Sequence, residues 1–327
     1  MSTAVSWAPR LCEQLEVVFG APVELAAARM LAGGASKEAW AVDVTTGSGP
    51  LELFVRRAAG GVIHVDMTLP LEQEFRVIEA AFATGVRVPR PYAYLGELGG
   101  REAFVTERIV GETIGRRIVT RPELAAAREA LPLQLAGELA KVHAIAPESL
   151  PFLRSTDVLA RFEHELDSVG EPHPAIELGL NWLREHRPEP LDPVVLHGDF
   201  RIGNVVVSED GLEYLLDWEF AHLGDPRDDV SWPVVRAWRF GADDRRLGGV
   251  GEVEPYLDRY NELTGRDIAV ADLFWWEVLG NVKWAVGALT QSRRHLNGQE
   301  RSVELAVLGR LAAEMEYELL DLLRQAG

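Results

Sequence analysis

Apolar residues in the first third of the chain cluster in short dense runs, and further along they recur at helical intervals. Residues 25–30 and 40–44 have the apolar content of strands, and 51–57 (LELFVRR) forms another. From Pro70 the spacing changes. Leu71, Phe75, Ile78 and Phe82 predict an amphipathic helix with Glu74 at the margin of its apolar stripe. A further strand is expected over 101–109, running through Glu107-Arg108-Ile109-Val110-Gly111-Glu112 into a helical region. Periodic apolar positions in 124–145, 272–289 and 303–323 predict helices, and the proline-bearing stretches 147–151, 172–174 and 188–193 predict loops.

The segment 194–220, VVLHGDFRIGNVVVSEDGLEYLLDWEF, breaks the helical pattern with three short strands, at 194–196, 204–207 and 212–216. Glu209-Asp210-Gly211 supplies the turn between the last two. If Ser208 faces Leu212, Asn204 lies opposite Leu216, and Asn204 meets Asp217 at the open end of the hairpin. Two hard oxygen donors there suit Mg²⁺, which takes few protein ligands and completes its shell with water and phosphates. Asp199, five residues before Asn204 in a glycine-containing loop, can accept a hydrogen bond from a substrate hydroxyl and orient that oxygen toward phosphorus. Each of these residues alone ordinarily caps a turn. The ordered set points to phosphoryl transfer. His197 reads as an anchor of the loop, and Glu219 as either a metal neighbour or a polar residue following Trp218.

His197-Gly198-Asp199, four residues, then Asn204 resembles the HGDxxxxN loop of aminoglycoside-phosphotransferase-like kinases, whose protein-kinase counterpart is HRDxxxxN. Asp217-Trp218-Glu219 resembles that family's second metal-binding motif, and Gly224-Asp225-Pro226 with Asp229 its GDPxxD segment. The resemblance implies an α+β, bilobal protein-kinase-like fold, with a small N-lobe of antiparallel sheet plus helix and a larger, mainly helical C-lobe. It also implies ATP (or GTP) and Mg²⁺ as cofactors and a small-molecule hydroxyl as acceptor. Family members act on aminoglycosides, sugars, choline-like alcohols, macrolides and hydroxyacyl groups. The wording of the DWE and GDP motifs is most similar to the branch related to kinase-like domains of acyl-CoA dehydrogenase fusion proteins, which adds a hydroxy acid or its CoA ester as an acceptor.

A kinase reading makes demands upstream. Gly33 and Gly34, with Ser36, fall between two strands where backbone N–H groups could cover phosphates, although such glycines usually just turn the chain. Arg56 stands where the family most often has Lys; strand alternation turns its neighbour Arg57 to the other face. Glu74 stands where kinases carry the glutamate that pairs with this cation. The hinge position implicates the backbone carbonyl of Glu107 and N–H of Ile109 in holding the base. Lys37, one of three lysines against 30 arginines, reads as an exposed loop residue outside the core set. Six of the nine tryptophans follow Asp199; the family builds its acceptor pocket from these late helices, but large aromatics more often fill the core.

A chain of 327 residues with 47% hydrophobic content can bury a large core, better divided into two lobes, 1–108 and 109–327, than gathered in one. No apolar run of about 18 residues spans a membrane, and the N-terminal sequence lacks a secretion signal, so a cytoplasmic protein is expected. A single cysteine, Cys12, allows no internal disulfide and no cysteine-based zinc cluster. Of the net charge of −18, residues 109–327 carry −15, with 23 basic against 38 acidic residues. That field opposes nucleic acid and favours cationic or neutral substrates. Oligomeric state is not set by the sequence. The alternative readings are a nucleotide-binding pseudokinase with a regulatory or scaffolding role and a metal-dependent hydrolase. No His-rich cluster supports the hydrolase.

Overall fold

A computed structural model describes residues 5–31, 37–58 and 68–326. Helix α1 (Ala8–Phe19) precedes strands β1 (Val23–Met30), β2 (Lys37–Thr46) and β3 (Gly49–Ala58). Helix α2 (Leu71–Ala83) then leads to β4 (Pro91–Glu97) and β5 (Glu102–Glu107). The five strands form one antiparallel sheet in the order β1-β2-β3-β5-β4. Strand alternation sorts β3 cleanly. Leu53 and Val55 are buried in a cluster with Trp7 and with Leu11 and Leu15 of α1, while Phe54 and Arg56 face the opposite side.

The rest is mainly helical: α3 (Gly115–Thr120), α4 (Ala125–His143), α5 (Val158–Val169) and α6 (Pro174–Glu185) precede strands β6 (Val194–Leu196), β7 (Val205–Ser208) and β8 (Gly211–Leu215). Strand β9 (His222–Gly224) pairs with β6, and β7 with β8. Helices α7 (Pro226–Ser231), α8 (Val253–Thr264), α9 (Leu273–Leu296) and α10 (Val303–Ala326) complete the chain. An apolar cluster runs unbroken from Phe75 and Ile78 of α2 through Leu135 and Leu139 of α4 to Phe200, Ile202 and Tyr260, joining the two parts. A second core packs α5 and α6 against α9 and α10 around Phe162, Trp275, Trp276 and Leu319.

The architecture is thus α+β and bilobal, as the motifs implied. Helices α1, α5, α6, α7 and α8 and strands β4 and β9 were not anticipated, and Phe82 departs from its expected stripe. The buried face of α2 centres on Glu74, Val77, Ile78 and Ala81, so Phe82 in the last turn reaches past the packing surface and is 46% exposed. The β7–β8 turn is also tighter than expected. Ser208 pairs with Gly211 and Val207 with Leu212, and a bulge restores the register at Val206–Tyr214 and Val205–Leu215. Because of that bulge Asn204 still meets Leu216, whose N–H donates to the Asn204 carbonyl at 2.8 Å. Among the described residues no helix is long and apolar enough to cross a membrane.

Candidate active site

The loop from His197 to Asn204 is fixed from beneath. Gly198 has φ +81°, and a Cβ there would lie 2.2 Å from the Phe220 carbonyl oxygen, so only glycine fits. Asp229, wholly buried, accepts the N–H groups of His197 (2.6 Å) and Gly198 (2.9 Å) and pairs with His143 Nε2 at 3.3 Å. His143 is backed in turn by the Tyr260 hydroxyl at 2.6 Å. Burial works to raise the Asp229 pKa, but the hydrogen bond and charge of His143, the charge of His197 and the Gly198 N–H outweigh it and bring it down to about 2. Phe200 and Ile202, fully buried, peg the loop into the core.

His197 is the anchor its sequence context suggested. The Asp199 N–H donates to its Nδ1 at 3.2 Å, which leaves Nε2 protonated to donate to the Leu216 carbonyl at 2.9 Å. Burial pushes its pKa down, so the ring gains its charge only in acid. Through this ring the loop is tied to the residue preceding Asp217.

Three donors converge on the Asp199 carboxylate. Arg201 Nε (2.9 Å) and Trp232 Nε1 (2.6 Å) reach Oδ1, and Asn204 Nδ2 (2.6 Å) reaches Oδ2. A carboxylate offers roughly four acceptor positions, so about one remains, on Oδ2. Asn204 also donates to the Asp199 carbonyl at 2.9 Å, which commits its amide nitrogen and leaves its amide oxygen to accept or to ligate. Arg201 and Trp232 were not singled out by sequence reasoning. Trp232 is 4% exposed, so the core reading of the late tryptophans holds for its ring, and only its N–H enters the site.

A cavity of about 430 Å³ opens beside this loop, between sheet and helices. Leu31, Ala39, Phe54, Ile78, Phe104 and Leu215 give it apolar surface, and Glu107, Arg108, Ile109, Asn204 and Asp217 also line it. Arg56, Glu74, Glu107, Ile109, Asn204 and Asp217 therefore share one cavity, with Asp199 directly behind Asn204. Gly33, Gly34 and Ser36 lie outside the described residues.

Charges in the cavity are arranged differently from expectation in one respect. Glu74, 1% exposed, takes its hydrogen bond from Lys37 Nζ at 2.6 Å, and Arg56 Nη1 approaches its other oxygen only as an ion pair at 3.3 Å. Lys37 is not an exposed loop residue. It begins β2 opposite Ala58, two places from Ala39 opposite Arg56, so strand alternation puts both cations on one face. That periodicity was the available signal, missed because the apolar run starts only at Trp40. Lys37 also donates to Glu219 at 2.6 Å, and Arg56 Nη2 bonds Asp217 Oδ1 at 3.1 Å and Glu219 at 3.3 Å. Arg57 faces away, bonding Glu38 and the carbonyls of Leu98 and Gly99.

Two cations and three carboxylates thus form one ionic cluster, of which Lys37, Arg56, Glu74 and Asp217 line the cavity. Burial works against the Arg56 charge, but Glu74, Asp217 and Glu219 more than offset this and raise its pKa. For Asp217, burial is outweighed by Arg56, Lys37 and His197, and its pKa falls; for Glu219, burial and the adjacent Asp217 prevail and its pKa rises. Asp217 adopts a left-handed backbone (φ 68°), a conformation Asp tolerates better than most residues and one that concentrates at functional sites.

Both the sequence and the fold are matched by known proteins. Residues 27–274 match the sequence profile of the APH phosphotransferase enzyme family. The chain belongs to that family. Its fold is shared with a Ralstonia eutropha protein assigned as an aminoglycoside phosphotransferase, at TM-score 0.72 and 20% identity over 96% of this chain and 98% of that one. Spectinomycin phosphotransferase, crystallised with ADP and spectinomycin, superposes with TM-score 0.67 at 14% identity, covering 96% and 98% of the two chains. Among curated relatives, acyl-CoA dehydrogenase family member 11 of Pongo abelii is 25% identical over 71% of this chain. Member 10 of Mus musculus is also 25% identical, over 84%. The chain spans only 32% and 28% of those two proteins. This phosphotransferase-family chain therefore corresponds to one portion of them.

Proposed function

We propose that the chain is an ATP-dependent kinase that moves the γ-phosphate to a hydroxyl of a small molecule in the cytoplasm, with GTP as the alternative donor. The observation that carries this reading is the Asp199 carboxylate, held by three donors with one acceptor position open, hydrogen-bonded to an Asn204 that lines a nucleotide-sized cavity. Under this proposal residues 1–108 form the nucleotide-binding lobe and 109–327 the catalytic and acceptor lobe.

The adenine ring would lie between the apolar walls, its edge at the Glu107 carbonyl and Ile109 N–H. Arg56 and Lys37 would shift from Asp217 and Glu219 onto the nucleotide phosphates, with Glu74 still orienting both. The amide oxygen of Asn204 and the carboxylate of Asp217 are the hard ligand set that Mg²⁺ takes, and both residues line the cavity. Bound there, Mg²⁺ would neutralise charge on the phosphate oxygens. Asp199 orients the acceptor hydroxyl and receives its proton as the new oxygen–phosphorus bond forms and the bond to the nucleoside diphosphate breaks. Arg201 and Trp232 hold the carboxylate in position for this.

A screen for ATP consumption across alcohol-bearing metabolites, including aminoglycosides and hydroxyacyl-CoAs, tests the proposal, with Asp199→Asn as control. Turnover of at least one acceptor, lost in the variant, is expected. Equal turnover in the variant removes Asp199 from its role, and ADP binding without any turnover favours the scaffolding alternative.

A further inference from the structure

A second cavity, of about 260 Å³, lies between the start of α2, residues 220–222 and the helices α5 and α9. Gly198 contributes to its wall, one residue from Asp199. Its charge runs against the rest of the molecule. The chain has 51 acidic and 33 basic residues, yet among the described residues this cavity is lined by Arg154, Arg161 and Lys283 and by no carboxylate.

Two of these cations retain unused donors. Among the described residues the buried Arg161 Nε makes no hydrogen bond, its contact with the Glu165 carboxylate being an ion pair at 3.6 Å. Leaving a buried charged donor unmade is costly, and a ligand that accepts from it removes that cost. Lys283 Nζ donates to the Gly198 carbonyl at 2.8 Å and lies 4.2 Å above the Trp232 ring. Asp228, at 3.6 Å, is too far for a second hydrogen bond, so N–H groups of the ammonium remain available.

The start of α2 adds to this field. Its N-cap is Pro70, no side chain caps it, and Pro70 and Gln73 line the cavity. Uncapped first-turn N–H groups and the positive end of the helix dipole favour an anion. Neither acid of that turn lines the cavity: Glu72 pairs with Arg76 on the exposed surface, and Glu74 faces the nucleotide cavity.

We propose that this cavity is an anion site taking a phosphate or carboxylate group beside the catalytic loop, separate from the nucleotide cavity. One chemistry has two sources, an acidic group carried by the acceptor or a free anion. The site itself does not depend on the kinase reading; only the assignment of its source does.

Inorganic phosphate is the probe, titrated at constant ionic strength into protein saturated with ADP and followed by calorimetry. Saturable binding is expected in the wild type, weakened about tenfold or more in Arg154→Gln/Arg161→Gln. Gln73→Glu sets a negative charge at the rim where a first-turn acid suits the helix, and should weaken phosphate equally while ADP binding stays unchanged. Absence of phosphate binding to the wild type, or equal binding to Gln73→Glu, overturns the proposal. If the acceptor supplies the anion, phosphate competes with acidic acceptors, and Gln73→Glu raises their KM while sparing neutral ones. If a free anion is the ligand, phosphate changes acceptor-independent ATP hydrolysis, and Gln73→Glu abolishes that change. Phosphate binding in a protein that transfers no phosphoryl group would retain the site and discard the kinase reading.

Discussion

Asp229 is wholly buried and the Asp217 side chain is 33% exposed; both pKa values are depressed, yet the two are satisfied in opposite ways. Asp229 is held by two backbone N–H groups and a histidine that is itself held by Tyr260. None of these donors can leave without unfolding the loop. Asp217 is held by Arg56, a flexible side chain in a cavity that also reaches Glu219 and Glu74. A carboxylate satisfied by backbone is scaffold, and one satisfied by mobile cations is free to exchange them for a ligand.

The largest effect should follow from breaking the scaffold. Asp229→Ala leaves the His197 and Gly198 N–H groups and His143 without an acceptor and should cost about 3–5 kcal/mol of stability in urea denaturation. The same group sets an acid dependence. Its folded pKa of about 2 lies below the unfolded value of about 4, so its contribution is complete above about pH 4 and is lost as pH falls toward 2. Stability should therefore decline less steeply across that window in Asp229→Asn. An unchanged urea midpoint in Asp229→Ala would erase the contrast with Asp217.

Asp199→Asn should lower turnover by about 10² to 10⁴ with little change in stability, measured once an acceptor is in hand. Asp217→Asn should weaken Mg-ATP binding more than that of free nucleotide while leaving the fold intact. Titrations with and without Mg²⁺ that agree would place Asp217 with the scaffold. The smallest effect separates the two cations. Lys37→Met and Arg56→Met should each weaken ADP binding by about tenfold, with Lys37→Met at least as damaging, because Lys37 makes the hydrogen bond to Glu74. A harmless Lys37→Met would return that lysine to a surface role.

The site was legible in the sequence to the extent that it is local. Asn204 and Asp217 belong to one hairpin, and alternation along β3 separated Arg56 from Arg57. Even a turn of the wrong length did not disturb this, since the bulge near Val206 restored the pairing at Asn204. What escaped was contact between distant segments. Lys37 and Glu219 are 182 residues apart, and Trp232 lies 33 residues beyond the carboxylate it holds. The late tryptophans carried no local sign distinguishing Trp232 from its neighbours.

By itself the sequence determined the chemistry at hand: an ordered set of Asp199, Asn204 and Asp217 on a strand-loop-hairpin frame, and the strands and helices that the apolar periods dictate. Hydrogen bonding along a strand and side-chain alternation act over a few residues, so they can be read in one dimension. Tertiary structure alone decided which cation reaches Glu74, what fills the acceptor positions of Asp199, and that a cavity free of acids forms within an acidic chain. Those outcomes depend on how the sheet, α2 and α9 pack against one loop, and no local rule encodes the distance between them.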